Sequence, residues 1–465
     1  MTKSRPKRPT GRAQHQKSLG ERQGSHAERQ RSQAERAAHR GGTAEPAAVR
    51  WGWWLAAAAL VLPPFVILPG ALDAVRLPQR LVAEWLALAS LIPLAAVTTT
   101  PRWQESLRRA APRAVLPLVG LAILGLAWTA HPTIVVDALV DLAIGAAALV
   151  VWSLAMPAER LRRLLDALLV PAAALALLAV LQLHHLWQPV AFGEAISDER
   201  TGVSALAGNP GDLAAWLVLP CLVAQASLPG ARATRRILLL AVAALCLYAL
   251  VGTRTLTAVV AVGAGSVVLW TARLGRRRLL PLGAAVVVAA LGLAVLVPPL
   301  RQRVTHAWQL AIEKGDANAL LSGRLDGWRV ALRLLREHPL GGVGFGAYRA
   351  EFTGAKLQLL AQGVPFYAGH LNPNFASAHD EYLEVAAELG WPGVAALGWG
   401  LAVTFLAARA VASRVRSQRG LVWGGLVALA LLALAYFPFR LAPVALSWVA
   451  WLAWLFAASE TEATT

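Results

Sequence analysis

Residues 377–388 read SAHDEYLEVAAE. An imidazole beside carboxylates is a group that can take and return a proton. His379 is the candidate base, with Asp380, Glu381 and Tyr382 beside it. Glu381, Glu384 and Glu388 recur along one stripe of a helix. Ser377 and Asp380, three apart, predict a capping box that starts a helix at Ala378 and puts His379 in its first turn. Backbone N–H groups there are unpaired and carry partial positive charge, which suits a phosphate and disfavours a protonated imidazole. Two arginines can join this group, Arg254 in VGTRTLTA and Arg324 in LSGRLDGW. Guanidinium groups grip phosphate through paired N–H donors. Taken singly, each has an ordinary reading: a structural histidine near an interface, a snorkelling arginine. Acids and histidine gathered at the end of one long segment favour the chemical reading.

Other patterns carry less. GGVGFG at 341–346 has the look of a phosphate-cradling run, but no GK[ST] follows, and it is read as a flexible turn. His379, Asp380 and Glu381 lack a second histidine four residues on, so no metal is expected, and no cofactor. His184 and His185 end an apolar block and read as interfacial.

These residues are set among elements of a particular kind. The chain has 465 residues, 57% of them hydrophobic and only 15% charged, with a mean hydropathy of +0.52. Its apolar residues come in blocks of about twenty, the length that crosses a bilayer. They fall at roughly 52–70, 81–98, 114–130, 134–155, 164–187, 211–228, 237–253, 255–272, 279–297, 391–411, 421–437 and 443–458. The expected fold is an all-α integral membrane protein of about 12 transmembrane helices with one long periplasmic loop containing amphipathic helices. Cys221 and Cys246 lie inside apolar blocks, as buried thiols with no disulfide framework. No cleavable signal peptide is expected ahead of the first block.

The net charge of +18 is distributed as a topology signal. Residues 1–50 hold twelve Lys and Arg against four Glu, with Glu-Arg recurring every seven residues from Glu21 and no apolar seam to make a coiled coil. With this tail in the cytoplasm, alternation puts Arg102, Arg108, Arg109 and Arg113, Arg160, Arg162 and Arg163, Arg232, Arg235 and Arg236, Arg273 and Arg276–278, and Arg414, Arg416 and Arg419 inside. The short outer loops hold only Arg76, Arg80, Arg200, Arg254 and Arg440. This obeys the positive-inside rule, sets both termini in the cytoplasm and leaves no basic groove for nucleic acid. The tail is a candidate for contact with anionic lipid.

The organisation expected is a basic tail over 1–50, nine spans over 51–297, an outer catalytic loop over 298–380, three spans over 381–458 and a short cytoplasmic tail over 459–465. Within the loop, SGRLDGWRVALRLLREHPLGG predicts an amphipathic helix with Ser322 as N-cap. Leu325, Trp328, Leu332 and Leu335 share its apolar face, and Arg329, Arg333 and Arg336 the other. It would lie on the membrane surface, as a structural lid or as part of a substrate site.

SGRLDGW, HPLGGVGFGAY, SAHDEYLEVAAELG and WPGVAALG, in that order, resemble the signature region of the O-antigen ligase and polymerase family. GNPGDLAAWL at 208–217, with Asn209, and GTR at 252–254 are similar to family positions too, and the likeness covers most of residues 200–440. Asp380 follows the histidine where many members carry Asn or Ser, and GTRT stands where SRG is common. The resemblance implies a metal-independent, multi-helix glycosyltransferase of the bacterial inner membrane. It implies a polyprenyl-diphosphate-linked glycan donor and a lipid or glycan acceptor: lipid A core for ligases, another carrier-linked repeat for polymerases. By matching positions, Arg254 and Arg324 would grip the diphosphate and His379 would act near the anomeric carbon. Asp380, Glu381, Tyr382 and Asn209 would support them.

The favoured expectation is the ligase, with the polymerase as its alternative. A transporter or flippase is a third reading, because Glu84, Asp137 and Asp141 are ionisable residues within spans, though no half-to-half repeat supports it. A purely structural membrane protein would leave the charges of the outer segment unexplained.

Overall fold

The computed structural model describes residues 46–71, 73–98, 103–188, 203–274, 298–313, 315, 318, 321, 323–366 and 376–460. Residues 1–45 of the basic tail, Arg102, Arg200, Arg276–278, the block at 279–297, Ser322 and the last five residues lie outside them. No strand occurs among the described residues. The helices are α1 Ala47–Val61, α2 Arg76–Thr98, α3 Trp103–Leu107, α4 Ala110–Leu124, α5 Pro132–Ala155, α6 Ala158–Ala167, α7 Leu169–Leu183 and α8 Pro210–Ser227. They continue with α9 Ala233–Gly252, α10 Leu256–Leu274, α11 Pro298–Glu313, α12 Arg324–Glu337, α13 Tyr348–Ala361, α14 Glu381–Arg414, α15 Arg419–Ala435 and α16 Ala442–Glu460.

Eight spans among the described residues are long and apolar enough to cross a membrane: α2, α4 with the turn after it, α5, α6–α7 together, α9, α10, α14 and α16. The twelve-block reading was broader. Three of its blocks correspond to α1 and α15, of 15 and 17 residues, and to α8. Helix α8 is buried without a break from Gly211 to Ala226, so it is enclosed by its neighbours on every side.

Helices pack closely where side chains are smallest. A Cβ on Gly265 of α10 would stand 2.9 Å from the Gly424 carbonyl of α15, and one on Gly424 would stand 2.6 Å from the Gly265 carbonyl. Such small-residue contacts are how apolar helices associate where burial from water supplies no drive. The arginine-rich ends gather together. Arg273 donates to the Ala226 and Ser417 carbonyls at 2.6 and 3.0 Å, and Arg414 to the Ser459 carbonyl at 3.0 Å. The other end of the bundle carries α12, α13 and the start of α14.

There a separate apolar core forms from Val330, Ala331, Leu334, Val343, Tyr348, Phe352, Ala378 and Ala387. The buried stripe of α12 is Asp326, Gly327, Val330, Ala331, Leu334 and Leu335, whereas Leu332 is exposed. The apolar face expected from sequence is therefore rotated, and the helix packs against protein. The cause is close approach: a Cβ on Gly327 would lie 2.8 Å from the Ala378 carbonyl, and Asn318 donates to buried Asp326 at 2.6 Å.

Candidate active site

Asp380 begins α14. Its carboxylate accepts from the backbone N–H groups of Tyr382 and Leu383 at 2.9 and 3.0 Å, the arrangement of an N-cap. This corrects the expectation of a helix starting at Ala378: Asp380 outcompetes Ser377 for the cap, and His379 stands just before the helix. Burial pushes the Asp380 carboxyl above its ordinary range, against the pull of those two N–H donors. Glu384 reaches back to accept from the Ala378 N–H at 2.8 Å. The turn preceding α14 is thus fixed from both sides.

His379 holds φ at 56°. A positive φ is uncommon for a residue with a Cβ, costs of order 1–3 kcal/mol, and tends to be kept where function needs it. Among the described residues only His185, Ala205, Arg254 and His379 share this feature outside glycine. Two of the four are residues singled out for their chemistry. The His379 Nδ1 lies 3.3 Å from the Ser377 carbonyl, a contact that favours the neutral tautomer protonated at Nδ1, in which Nε2 is the basic nitrogen. The ring packs edge-on against Phe437 at 5.1 Å between centroids.

Phe437 belongs to the turn between α15 and α16, and this turn organises the site. Tyr436 stacks on Phe437 and donates to Asp212 at 2.6 Å. Asp212 also takes a two-point grip from Arg76, at 2.7 and 3.1 Å. Burial, then the Asp212 carboxylate, pushes the Tyr436 hydroxyl well up, while Arg76 and Arg324 pull it down, so Arg324 acts on the same group. Arg324 itself opens α12 and donates to the Leu321 carbonyl at 3.5 Å. Asn209 caps α8 through the Gly211 N–H at 2.7 Å, one residue before Asp212. Further along the turn, the Phe439 N–H donates to Glu381 at 2.9 Å.

Arg440 closes the arrangement. It meets Glu388 at 2.6 Å and Glu384 at 3.2 Å, and lies 4.8 Å over the Phe345 ring. Burial would lower the guanidinium, but Glu388, Glu384 and Glu381 outweigh it and raise it. The glutamate stripe read from sequence is real, and its side chains are buried.

The run GGVGFG is packed rather than flexible. Gly342 to Gly346 are buried. Helix α14 breaks at Gly390, φ 66°, ahead of Pro392. The carbonyls this break leaves open are taken by the run: Val343 N–H donates to Ala387 and Gly344 N–H to Glu388, at 3.1 and 2.9 Å, and Trp391 N–H finds the Pro339 carbonyl at 2.8 Å. Gly342 has φ 63°, and a Cβ on it would stand 2.2 Å from the Glu388 carbonyl.

The structure therefore brings His379, Asp380, Glu381 and Tyr382 together at the start of α14, with Asn209 capping the helix that presents Asp212, and places Arg324 at the start of α12, whose Gly327 packs on Ala378. Arg254 is carried by a different junction, between α9 and α10. Arg76, Asp212, Tyr436, Phe437 and Arg440 were not read from sequence. Their signal was faint: Asp212 is the one charge in α8, and Arg440 is one of the few outer-loop arginines.

A bundle of apolar helices with this polar cap defines a multi-pass membrane protein. Residues 241–398 match the family model described as O-antigen ligase. This match, about a third of the chain, supports membership of the O-antigen ligase and polymerase family, with ligase or polymerase-type function in polysaccharide biosynthesis. Arg254, Arg324 and His379 lie within the matched segment, and Arg76, Asp212, Tyr436 and Arg440 outside it. No curated protein matches.

Proposed function

We propose that the protein is an O-antigen-ligase-like glycosyltransferase that moves a glycan from a polyprenyl-diphosphate carrier to a lipid or glycan acceptor. The observation that carries this reading is the strained His379, φ 56°, held at the start of α14 beside Asp380 with its Nδ1 3.3 Å from the Ser377 carbonyl. Nε2 takes the proton from an acceptor hydroxyl. That oxygen bonds to the anomeric carbon as the bond from this carbon to the phosphate oxygen breaks. Negative charge grows on the departing diphosphate, where Arg324 stabilises it, with Arg254 of the α9–α10 junction as the second arginine that the family resemblance assigns to this role. Base catalysis of this kind is worth roughly 10²–10⁴-fold. Asp380 and Glu384 hold the histidine turn, Glu381 ties α14 to the Phe439 N–H, Tyr382 stands in the first turn of α14, and Asn209 caps the helix that presents Asp212. No step needs a metal.

In this reading residues 298–380 are the catalytic loop on the periplasmic face of the inner membrane, with both termini in the cytoplasm. The charges that motivated a transport reading support a fixed site instead. Arg80 meets Glu84, Asp137 and Asp141 at 2.9, 2.9 and 2.5 Å. In cells lacking the protein, intact polymer stranded on carrier lipid is expected. Loss of polymer with single repeats still attached to their acceptor would assign the polymerase reaction instead. Complementation by His379→Ala at normal abundance would sink the proposed mechanism.

A further inference from the structure

A cavity adjoins the histidine site and shares Arg76, Asp212 and Arg440 with it, while its other polar residues take no part in the chemistry above. It measures about 240 Å³ and is walled by Arg76, Arg80, Glu84, Asp141, Asp212 and Arg440. Arg80, Glu84 and Asp141 sit on spanning helices α2 and α5, where charges are costly and persist when they serve a function. Each arginine is already matched. Arg76 is held by Asp212, Arg80 by Glu84 and Asp141, and Arg440 by Glu384 and Glu388. With Asp73, which also lines the cavity, four carboxylates face three guanidinium groups, so the wall offers no net positive field to a diphosphate. It does offer spare acceptor lone pairs beside spare N–H donors. Sugar hydroxyls, each both donor and acceptor, fit such a wall, and Leu77 and Ile144 supply apolar surface for a ring's C–H face. The volume is below the roughly 300–1,000 Å³ of drug-sized sites, which suits one sugar unit rather than a chain.

The cavity adjoins the histidine site through the Tyr436–Arg440 turn. Phe437 packs on His379, while Phe439 and Arg440 line the cavity. We propose that the cavity binds one uncharged sugar residue of a glycan substrate and so sets which glycan reaches His379. This rests on the glycosyl-transfer reading. The sugar belongs either to the donor or to the acceptor.

The test uses the full chain in lipid nanodiscs, with KM measured separately for donor and acceptor. Asp141→Asn removes a charged acceptor. Gly145→Leu fills the cavity from α5, where an added Cβ meets nothing within 4 Å. Both variants should raise one of the two KM values by about tenfold or more, the scale of a hydrogen bond lost to a charged group, with kcat within about twofold. The substrate affected names the source of the sugar. Unchanged KM values in folded Gly145→Leu would overturn the proposal. So would a loss of inhibition by inorganic diphosphate in either variant, which would make the cavity the phosphate site. Where wild type transfers nothing to any acceptor, the glycosyl-transfer reading fails on its own, and saturation-transfer NMR with lactose decides the cavity. A signal lost in Gly145→Leu supports it, and no signal from wild type overturns it.

Discussion

Two arginines in this molecule face groups of carboxylates and do different work. Arg440 meets Glu384 and Glu388, whose side chains are 2% and 0% exposed. Arg80 meets Asp137 and Asp141, whose side chains are 46% and 43% exposed. The first cluster seals a joint between the α15–α16 turn and α14. The second stands open on a cavity. Local dielectric decides what each pair contributes, because a buried charge without a partner is far costlier than an exposed one. The comparison teaches that a count of ion pairs says little until burial is known.

The largest effect should come from breaking the sealed cluster. Arg440→Ala leaves two buried carboxylates facing each other and should cost about 3–5 kcal/mol, read as a fall in thermal midpoint in detergent. Adding Glu384→Gln and Glu388→Gln to that variant should recover much of the loss. Next, Gly342→Ala forces a Cβ into the Glu388 backbone in a left-handed conformation. It should cost at least about 1–3 kcal/mol and lower transfer in step with stability. A smaller change follows from Asp380→Ala, which loses an N-cap worth about 0.5–2 kcal/mol, whereas Asp380→Asn keeps it.

The cap also has a pH signature. Burial raises the Asp380 carboxyl, so the folded state holds that proton more tightly than the unfolded chain. The resulting stability is present below the ordinary carboxylate range and is lost as pH rises through the raised value. Stability against pH should therefore be flatter in Asp380→Asn. A smaller loss than that of Arg440→Ala is expected from Arg80→Ala, since Asp137 and Asp141 are half exposed and only Glu84, 13% exposed, is left largely buried without its partner. A loss as large as that of Arg440→Ala would erase the distinction between the two clusters.

Much of this was legible in the chain. Eight of the twelve apolar blocks correspond to helices long enough to cross a bilayer, because its thickness fixes their length. His379, Asp380 and the glutamate stripe were visible because helix periodicity places them together. What stayed hidden depends on distant segments meeting. Arg440 and Tyr436 complete the site from a turn outside the matched region, and nothing local in YFPFR says that α14 will be its neighbour. The face of α12 was misread because a glycine and a buried aspartate form part of it, and a hydropathy pattern gives such residues no weight. GGVGFG was read as loose because glycine permits flexibility. Here it permits close approach.

In the proposed mechanism His379 and Arg324 run glycan transfer from a lipid diphosphate. The most direct measurement is transfer by the purified full-length protein from polyprenyl-diphosphate glycan, with EDTA present and each candidate acceptor supplied in turn. The account predicts product with wild type on one acceptor, and none with His379→Ala or Arg324→Ala at equal folded abundance. Undiminished product from His379→Ala would contradict it.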